Sequence, residues 1–410
     1  MSEKFVNKFD IILFISTALI LIIGFVSIYS ATHSTPNGAD FYLKQIYFGI
    51  SGLGIVILIS YINPKHMSKI SYFLYGLSVV LLILVLLFGK VINGNKSWFY
   101  IGGFGIQPSE FAKITTVLAI ATFIGGSEEQ KDVNKLAVFI KSCIFVVIPV
   151  VLIKLQNDTG TTLVFLSFLL PMFFWAGLSP FALFVIISPI ILSLLSFAGN
   201  IYFYIGLLVI LIALFTFKRN VYISIFAFIL NFVSGFFVKY AYDKLEPYQQ
   251  KRILAVFDPA SDPLGSGYNV IQSKVAIGSG GIAGKGFLQG TQTQLKFIPE
   301  QWTDFIFCMI GEEFGFVGSG LLIILFLILI SKMVSNAYIS KNRFFSLTCI
   351  GFASIFLFHF TINVGMTVGI MPVIGIPLPL VSYGISSLLS FLIMIGIAMA
   401  TYRYKTVYNM

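Results

Sequence analysis

Two charged residues three positions apart open one apolar run. Glu110 and Lys113 in "IQPSEFAKITTV" follow Pro108, and that spacing puts them on one helical face. A charge at mid-membrane costs roughly 2.5–3.5 kcal/mol on insertion scales, so the pair either locks a helix or lines a wet cavity. In "KLQNDTGTTLVF", Lys154 and Asp158 stand at the next re-entry point, where Asp158 is either a functional carboxylate or an N-cap. Glu312 and Glu313 in "DFIFCMIGEEFGFVG" lie well inside another apolar run and require polar partners. The one long polar stretch, 239–303, contains "FDPASDPLGSGYN". Local chemistry alone makes Asp262, before Pro263 and ahead of Gly265 and Gly267, a turn residue. His33, His66 and His359 all lie outside this stretch, so a general base there has to be a carboxylate.

Other patterns carry no chemistry. "GSGGIA" meets a relaxed dinucleotide fingerprint but follows no strand, and "GGIAGKG" lacks the Ser or Thr that a P-loop needs after Lys285. Cys143, Cys308 and Cys349 are scattered through apolar runs, which excludes a disulfide framework and a zinc site by spacing. The net charge of +10 is spread without a basic stripe interleaved with aromatics, so nucleic acid is not an expected partner.

The elements that must position these residues are membrane helices. Of the 410 residues 58% are hydrophobic and 10% charged, far from the roughly 25% charge of a soluble domain. Apolar windows of roughly 17–25 residues suit a hydrocarbon crossing. They fall at about 9–31, 46–62, 71–89, 108–125, 136–153, 159–177, 181–197, 201–217, 220–238, 304–332, 346–366 and 380–401. These runs show no period-2 alternation, so the expected fold is an all-α polytopic bundle, one domain over 1–410, and not a barrel. The first window exceeds a signal-peptide core and is expected to remain as an anchor. With the N-terminus cytoplasmic, the inner loops and tails hold thirteen Lys and Arg, from Lys4 and Lys8 to Arg403 and Lys405. The short outer loops hold only Lys44, Lys90, Lys96 and Lys154. Both termini are then inside and the 239–303 loop outside.

The stretch from "FDPASDPLGSGYN" to "FIPEQWTDFIF" resembles the signature loop of the SEDS family (shape, elongation, division and sporulation). "NGNKSWF", "QPSEFAKI", "QNDTGTTLV" and "GIPLPLVSYGISS" agree in order, and "GTQTQLKF" is closer to the RodA than to the FtsW branch. The resemblance implies an inverting peptidoglycan glycosyltransferase of the inner membrane, polymerising lipid II for cell elongation. The expected associates are lipid II, the nascent glycan strand, membrane lipids, a class B penicillin-binding protein and other elongation proteins. It further implies that Asp262 is the essential loop aspartate, that Trp98 belongs to the second outer loop, and that Glu110, Lys113 and Asp158 are polar positions of a central cavity. Lys96, Gln272, Ser273, Lys274, Glu300 and Asp304 complete the substrate-binding candidates. The chain departs from the family at Asn157, where proline is usual, at Gln301 and Trp302, where an Arg-His-like pair is usual, and at Ile385, where glycine is usual. It also has twelve windows against ten crossings, the excess being a hairpin within 181–238.

Such a transfer needs one base and some cationic help. A diphosphate is a good leaving group, so the paired carboxylates of glycoside hydrolases are not required. Asp262 would take the proton of the acceptor 4-hydroxyl. Lys96, Lys113, Lys274 or a divalent cation such as Mg²⁺ would offset charge on the diphosphate. Three alternatives stay open at this stage: a lipid II flippase, whose buried charges would line a translocation path, a division-type FtsW-like polymerase, and a scaffold for the transpeptidase.

Overall fold

The computed structural model describes residues 9–35, 38–92, 94–101, 104–126, 131–217, 221–246, 250–252, 254, 266–299 and 301–406. Asp258, Asp262 and Glu300 lie outside the described residues. The first helices are α1 (Ile11–Thr32), α2 (Gly38–Ile59) and α3 (Pro64–Phe88), followed by strands β1 (Lys90–Ile92), β2 (Asn95–Ile101) and β3 (Phe104–Ile106). Next come α4 (Pro108–Gly125), α5 (Leu136–Leu155), α6 (Thr159–Ser167), α7 (Leu169–Trp175), α8 (Pro180–Ala198), α9 (Asn200–Thr216) and α10 (Val221–Asp243). The chain then forms α11 (Ser266–Gly280), α12 (Thr291–Gln294), α13 (Ile306–Ile339), α14 (Arg343–Thr367) and α15 (Ile385–Arg403).

Among the described residues each apolar window falls largely on helix, and the chain is a multi-pass membrane protein. Among the described residues eight helices are long and apolar enough to cross a membrane: α1, α2, α3, α5, α10, α13, α14 and α15. Thr159–Trp175, Pro180–Ser196 and Asn200–Thr216 are shorter apolar helices, and α4 carries the two charges of its first turns. The 159–177 window is broken between Ser167 and Leu169. Pro171 explains the break, since it has no N–H for the Ser167 carbonyl and its ring crowds that carbonyl. α14 and α15 form the centre, with 67% and 72% of their apolar windows buried against 17% for α10. Outward residues such as Phe73, Phe88 and Phe215 remain exposed, as a lipid-facing surface requires.

The hairpin expected within 181–238 belongs to a three-helix unit, α8 to α10, with its own core of Leu192, Phe203, Leu207, Ile210, Leu214 and Ala227. A Cβ at Gly235 would come within 2.0 Å of the Phe203 ring, so glycine is what lets α9 and α10 approach there. Asn231 Nδ2 donates to Ser188 Oγ at 3.0 Å, and Ser196 Oγ donates to the Gly235 carbonyl at 3.1 Å. These polar pairs tie α8 to α10 where water is absent.

α13 is interrupted at Gly315 (φ 63°, ψ −159°), and the 281–286 segment docks into the break. Phe316 and Val317 N–H groups donate to the Gly281 and Ile282 carbonyls at 2.9 and 3.1 Å. In return Lys285 and Gly286 N–H groups donate to the Glu312 and Glu313 carbonyls, both at 3.0 Å. The backbone groups freed by the kink are therefore paired, as buried groups must be. Both carboxylates there have polar partners, while Glu313 Oε2 accepts no hydrogen bond among the described residues. Glu312 accepts from Lys285 Nζ, Thr291 Oγ1, Thr293 Oγ1 and the Gln292 and Thr293 N–H groups. Glu313 accepts from Ser30 Oγ at 2.6 Å and Gln294 Nε2 at 3.2 Å.

Candidate active site

The small sheet is an addition to the helical expectation, and it forms part of a cavity wall. β2 pairs antiparallel with both neighbours, with Lys90 opposite Trp98 and Tyr100 opposite Gly105. A Cβ at Gly105 would meet the Trp98 ring at 3.1 Å, so the glycine leaves room for the indole against the sheet. Ser97, Trp98 and Tyr100 line a cavity of about 680 Å³. Its other walls are Phe41 and Lys44 of α2, Trp302 to Asp304, the 375–377 segment, and Tyr383 to Ile385. Phe41 stacks on Trp302 at a centroid distance of 6.2 Å and meets Tyr383 edge-on at 5.1 Å.

Glu110, Asp158 and His359 reach the cavity. Pro108 at the start of α4 brings Glu110 into its first turn, where a carboxylate complements the helix dipole. Lys113, fully buried, lies 3.0 Å from each oxygen of Glu110, and Ser390 Oγ donates to Glu110 Oε2 at 3.0 Å. Asp158 serves as cap and cavity carboxylate together. It accepts from the Thr161 N–H at 3.0 Å, from Thr161 Oγ1 at 2.8 Å and from Gln107 Nε2 at 3.0 Å. Burial pushes its carboxyl above the ordinary range, against the Thr161 bonds, which pull it down; the nearby Glu110 charge adds to the rise. Asn157, just before it, has φ 64°. Proline is fixed near −65°, so this backbone excludes the proline usual at that position, whereas asparagine tolerates it.

Of the residues singled out by sequence, Trp98, Glu110, Asp158 and Asp304 meet on this cavity, and Lys113 lies behind Glu110. Lys96 does not line it; its Nζ donates to the Leu87 carbonyl at the C-terminal end of α3 at 3.0 Å. Gln272, Ser273 and Lys274 sit elsewhere on α11, where Ser273 Oγ donates to the Thr367 carbonyl at 2.7 Å. Asp262 and Glu300 lie outside the described residues. Sequence reading missed Lys44, His359, Ser390, Gln107 and the aromatic wall. Trp302, which with Gln301 stands where an Arg-His-like pair is usual, was the available signal.

Among the described residues no three His, Cys, Asp or Glu side chains cluster as ligands. The Glu110 and Asp158 oxygens already accept bonds from protein groups. Lys44 lies on the wall of the same space.

The FtsW/RodA/SpoVE cell cycle protein family model matches residues 10–205 and 198–407. The chain is 34% identical to the peptidoglycan glycosyltransferase RodA of Treponema pallidum (strain Nichols), over 96% of this chain and 98% of that one. It is 33% identical to the peptidoglycan glycosyltransferase MrdB of Escherichia coli (strain K12), over 94% of this chain and 93% of that one. Its fold is similar to a chain from a peptidoglycan synthase complex solved for its coordination of polymerization and crosslinking. That likeness has a TM-score of 0.72 and 28% identity, covering 97% of this chain and 99% of the other.

Proposed function

The chain belongs to the FtsW/RodA/SpoVE family of cell cycle proteins, and from that membership we propose that it is a peptidoglycan glycosyltransferase of the RodA branch. Its substrate is lipid II, taken at the outer face of the cytoplasmic membrane with both termini inside, and its product is the glycan strand laid down during elongation. The observation that carries the reading is the cavity itself, lined by Glu110 and Asp158, with Lys113 paired to Glu110 behind it, and by Trp98, Tyr100 and Trp302. Such a space suits a sugar-diphosphate head group whose lipid tail stays among the helices.

In the transfer, the acceptor 4-hydroxyl oxygen bonds to the anomeric carbon of the donor as that carbon's bond to the diphosphate oxygen breaks, with inversion. The hydroxyl proton passes to the Asp262 carboxylate, and undecaprenyl diphosphate leaves as the anion. Lys44 offsets the charge growing on the leaving group. The role of Asp262 rests on the resemblance of its motif. A class B penicillin-binding protein as partner is supported by the likeness to the synthase complex.

The test is Asp262→Asn, nearly isosteric and still able to form the turn. With purified protein and lipid II, product gels should show polymerisation reduced by about 10²–10⁴-fold, while Asp258→Asn keeps substantial activity. Unimpaired polymerisation by Asp262→Asn overturns the base. Lipid II flipping in vesicles without any glycan product would favour the transporter.

A further inference from the structure

His359 projects from α14 to the cavity floor and is 2% exposed. Its ring nitrogens meet partners of opposite kind. Nδ1 lies 3.0 Å from the Pro377 carbonyl oxygen, and Nε2 lies 3.3 Å from Lys113 Nζ. A carbonyl only accepts and an ammonium only donates, so the proton is on Nδ1 and the Nε2 lone pair faces Lys113. The imidazole is therefore neutral and held in one tautomer. Its ring also meets Phe391 edge-on at 5.0 Å, and the Lys113 ammonium lies 5.3 Å from the same Phe391 ring.

These contacts link three elements through one ammonium. Lys113 comes from α4, His359 from α14, and Pro377 from the 375–377 segment that walls the cavity. Lys113 donates to Glu110 and to His359, and Glu110 is the member of the set that carries a carboxylate to the cavity surface. We propose that His359 is a positioning residue for glycosyl transfer, which holds Lys113 and through it fixes the Glu110 carboxylate against the wall at Pro377. This rests on the glycosyltransferase reading above. Removing the acceptor at Nε2 frees the ammonium to swing, and Glu110 swings with it. Displacing a group by about 1 Å in an active site can cost about 10²-fold in rate.

The two nitrogens can be separated by substitution. Asparagine places its amide near Nδ1 and keeps the donor to Pro377, whereas glutamine reaches the Nε2 position and keeps an acceptor for Lys113. In lipid II polymerisation by the purified full-length chain, His359→Asn should lower kcat by about tenfold or more with KM within about twofold, the split expected when positioning at the reacting centre is lost. His359→Gln should stay within about threefold of the parent kcat. The opposite order, with Asn active and Gln inactive, would make His359 a strap for the Pro377 segment and overturn the proposal. An equal loss in both, with a matching loss of thermal stability, overturns it as well. Nitrogen NMR of labelled histidine reads the geometry without activity: the expected result is a protonated Nδ1 and an Nε2 resonance that moves in Lys113→Met. Finding Nε2 protonated would also refute it. An inactive parent chain would count against the glycosyltransferase reading, and the NMR result would still decide the contact.

Discussion

Lys113 Nζ lies 3.0 Å from both carboxylate oxygens of Glu110, with the lysine fully buried and the glutamate 4% exposed. Removing one member of a buried pair strands the other charge, at a cost of roughly 3–5 kcal/mol. Lys113→Met should therefore lower the melting temperature as well as abolish polymerisation. The double variant Glu110→Gln with Lys113→Met removes both charges and should recover most of the lost stability. If the pair serves the reaction, the recovered protein stays inactive. A double variant that regains both stability and glycan synthesis would make the pair a helix lock only.

The raised carboxyl of Asp158 gives a pH prediction. Its folded value lies above that of the unfolded chain, near 3.9, because burial disfavours the charged form. The unfolded chain then loses its proton first, so the Asp158 contribution to stability falls as pH rises from the unfolded value through the folded one, and is level above. Asp158→Asn keeps the cap without ionising. The parent should lose stability relative to Asp158→Asn across that window, and a difference that is flat or grows in the parent's favour with pH would contradict the burial argument. Against Asp158→Asn, which does not ionise, Asp158→Ala should cost about 1 kcal/mol at every pH through the lost cap.

What the sequence made legible follows from contrast. Glu110 and Lys113 stand out because two charges i, i+3 in an oily run have few bland explanations, and Asp158 because it precedes a helix. His359 had no such contrast, since a lone histidine in an apolar run gives no hint of a lysine 246 positions away. Ser390 and Gln107 are equally silent, their partners being set by packing of α4 against α15 and by the sheet. The strands were hidden by the brevity of β1 and β3. Glu312 announced that it needed partners but not which, because its donors come from a segment that only tertiary docking into the Gly315 break brings near.

That docking yields a prediction in which the conservative substitution is not mild. Glu312 Oε1 accepts from Lys285, Thr291 and the Gln292 N–H, and Oε2 from the Thr293 N–H and hydroxyl. Glutamine must place its NH₂ at one of these sites, where it faces donors. An unmade buried bond costs roughly 1–3 kcal/mol, so Glu312→Gln should be nearly as disruptive as Glu312→Ala. Hydrogen exchange of the Gln292 and Thr293 amides should quicken in both, with proteolytic cleavage appearing in 285–297. Protection retained in Glu312→Gln would show that the carboxylate is not what holds this segment.

The three-helix unit tests the topology. α8 has 19 residues and α9 has 17, which at about 1.5 Å per residue gives about 28 and 26 Å, close to a hydrocarbon core of about 30 Å. Only Gly199, at φ 142°, separates the two helices. With so short a link they run antiparallel, and if each spans, Ser179 and Asn200 lie on opposite faces of the membrane. Single cysteines at these positions, in a chain whose own three cysteines are replaced, should react with an impermeant maleimide from opposite sides: position 179 from the cytoplasm and position 200 from outside. Labelling of both from one side would mean that α8 lies within the membrane surface. The outer placement of the 239–303 loop would then need an independent crossing, and with it the outward-facing chemistry assigned to Asp262.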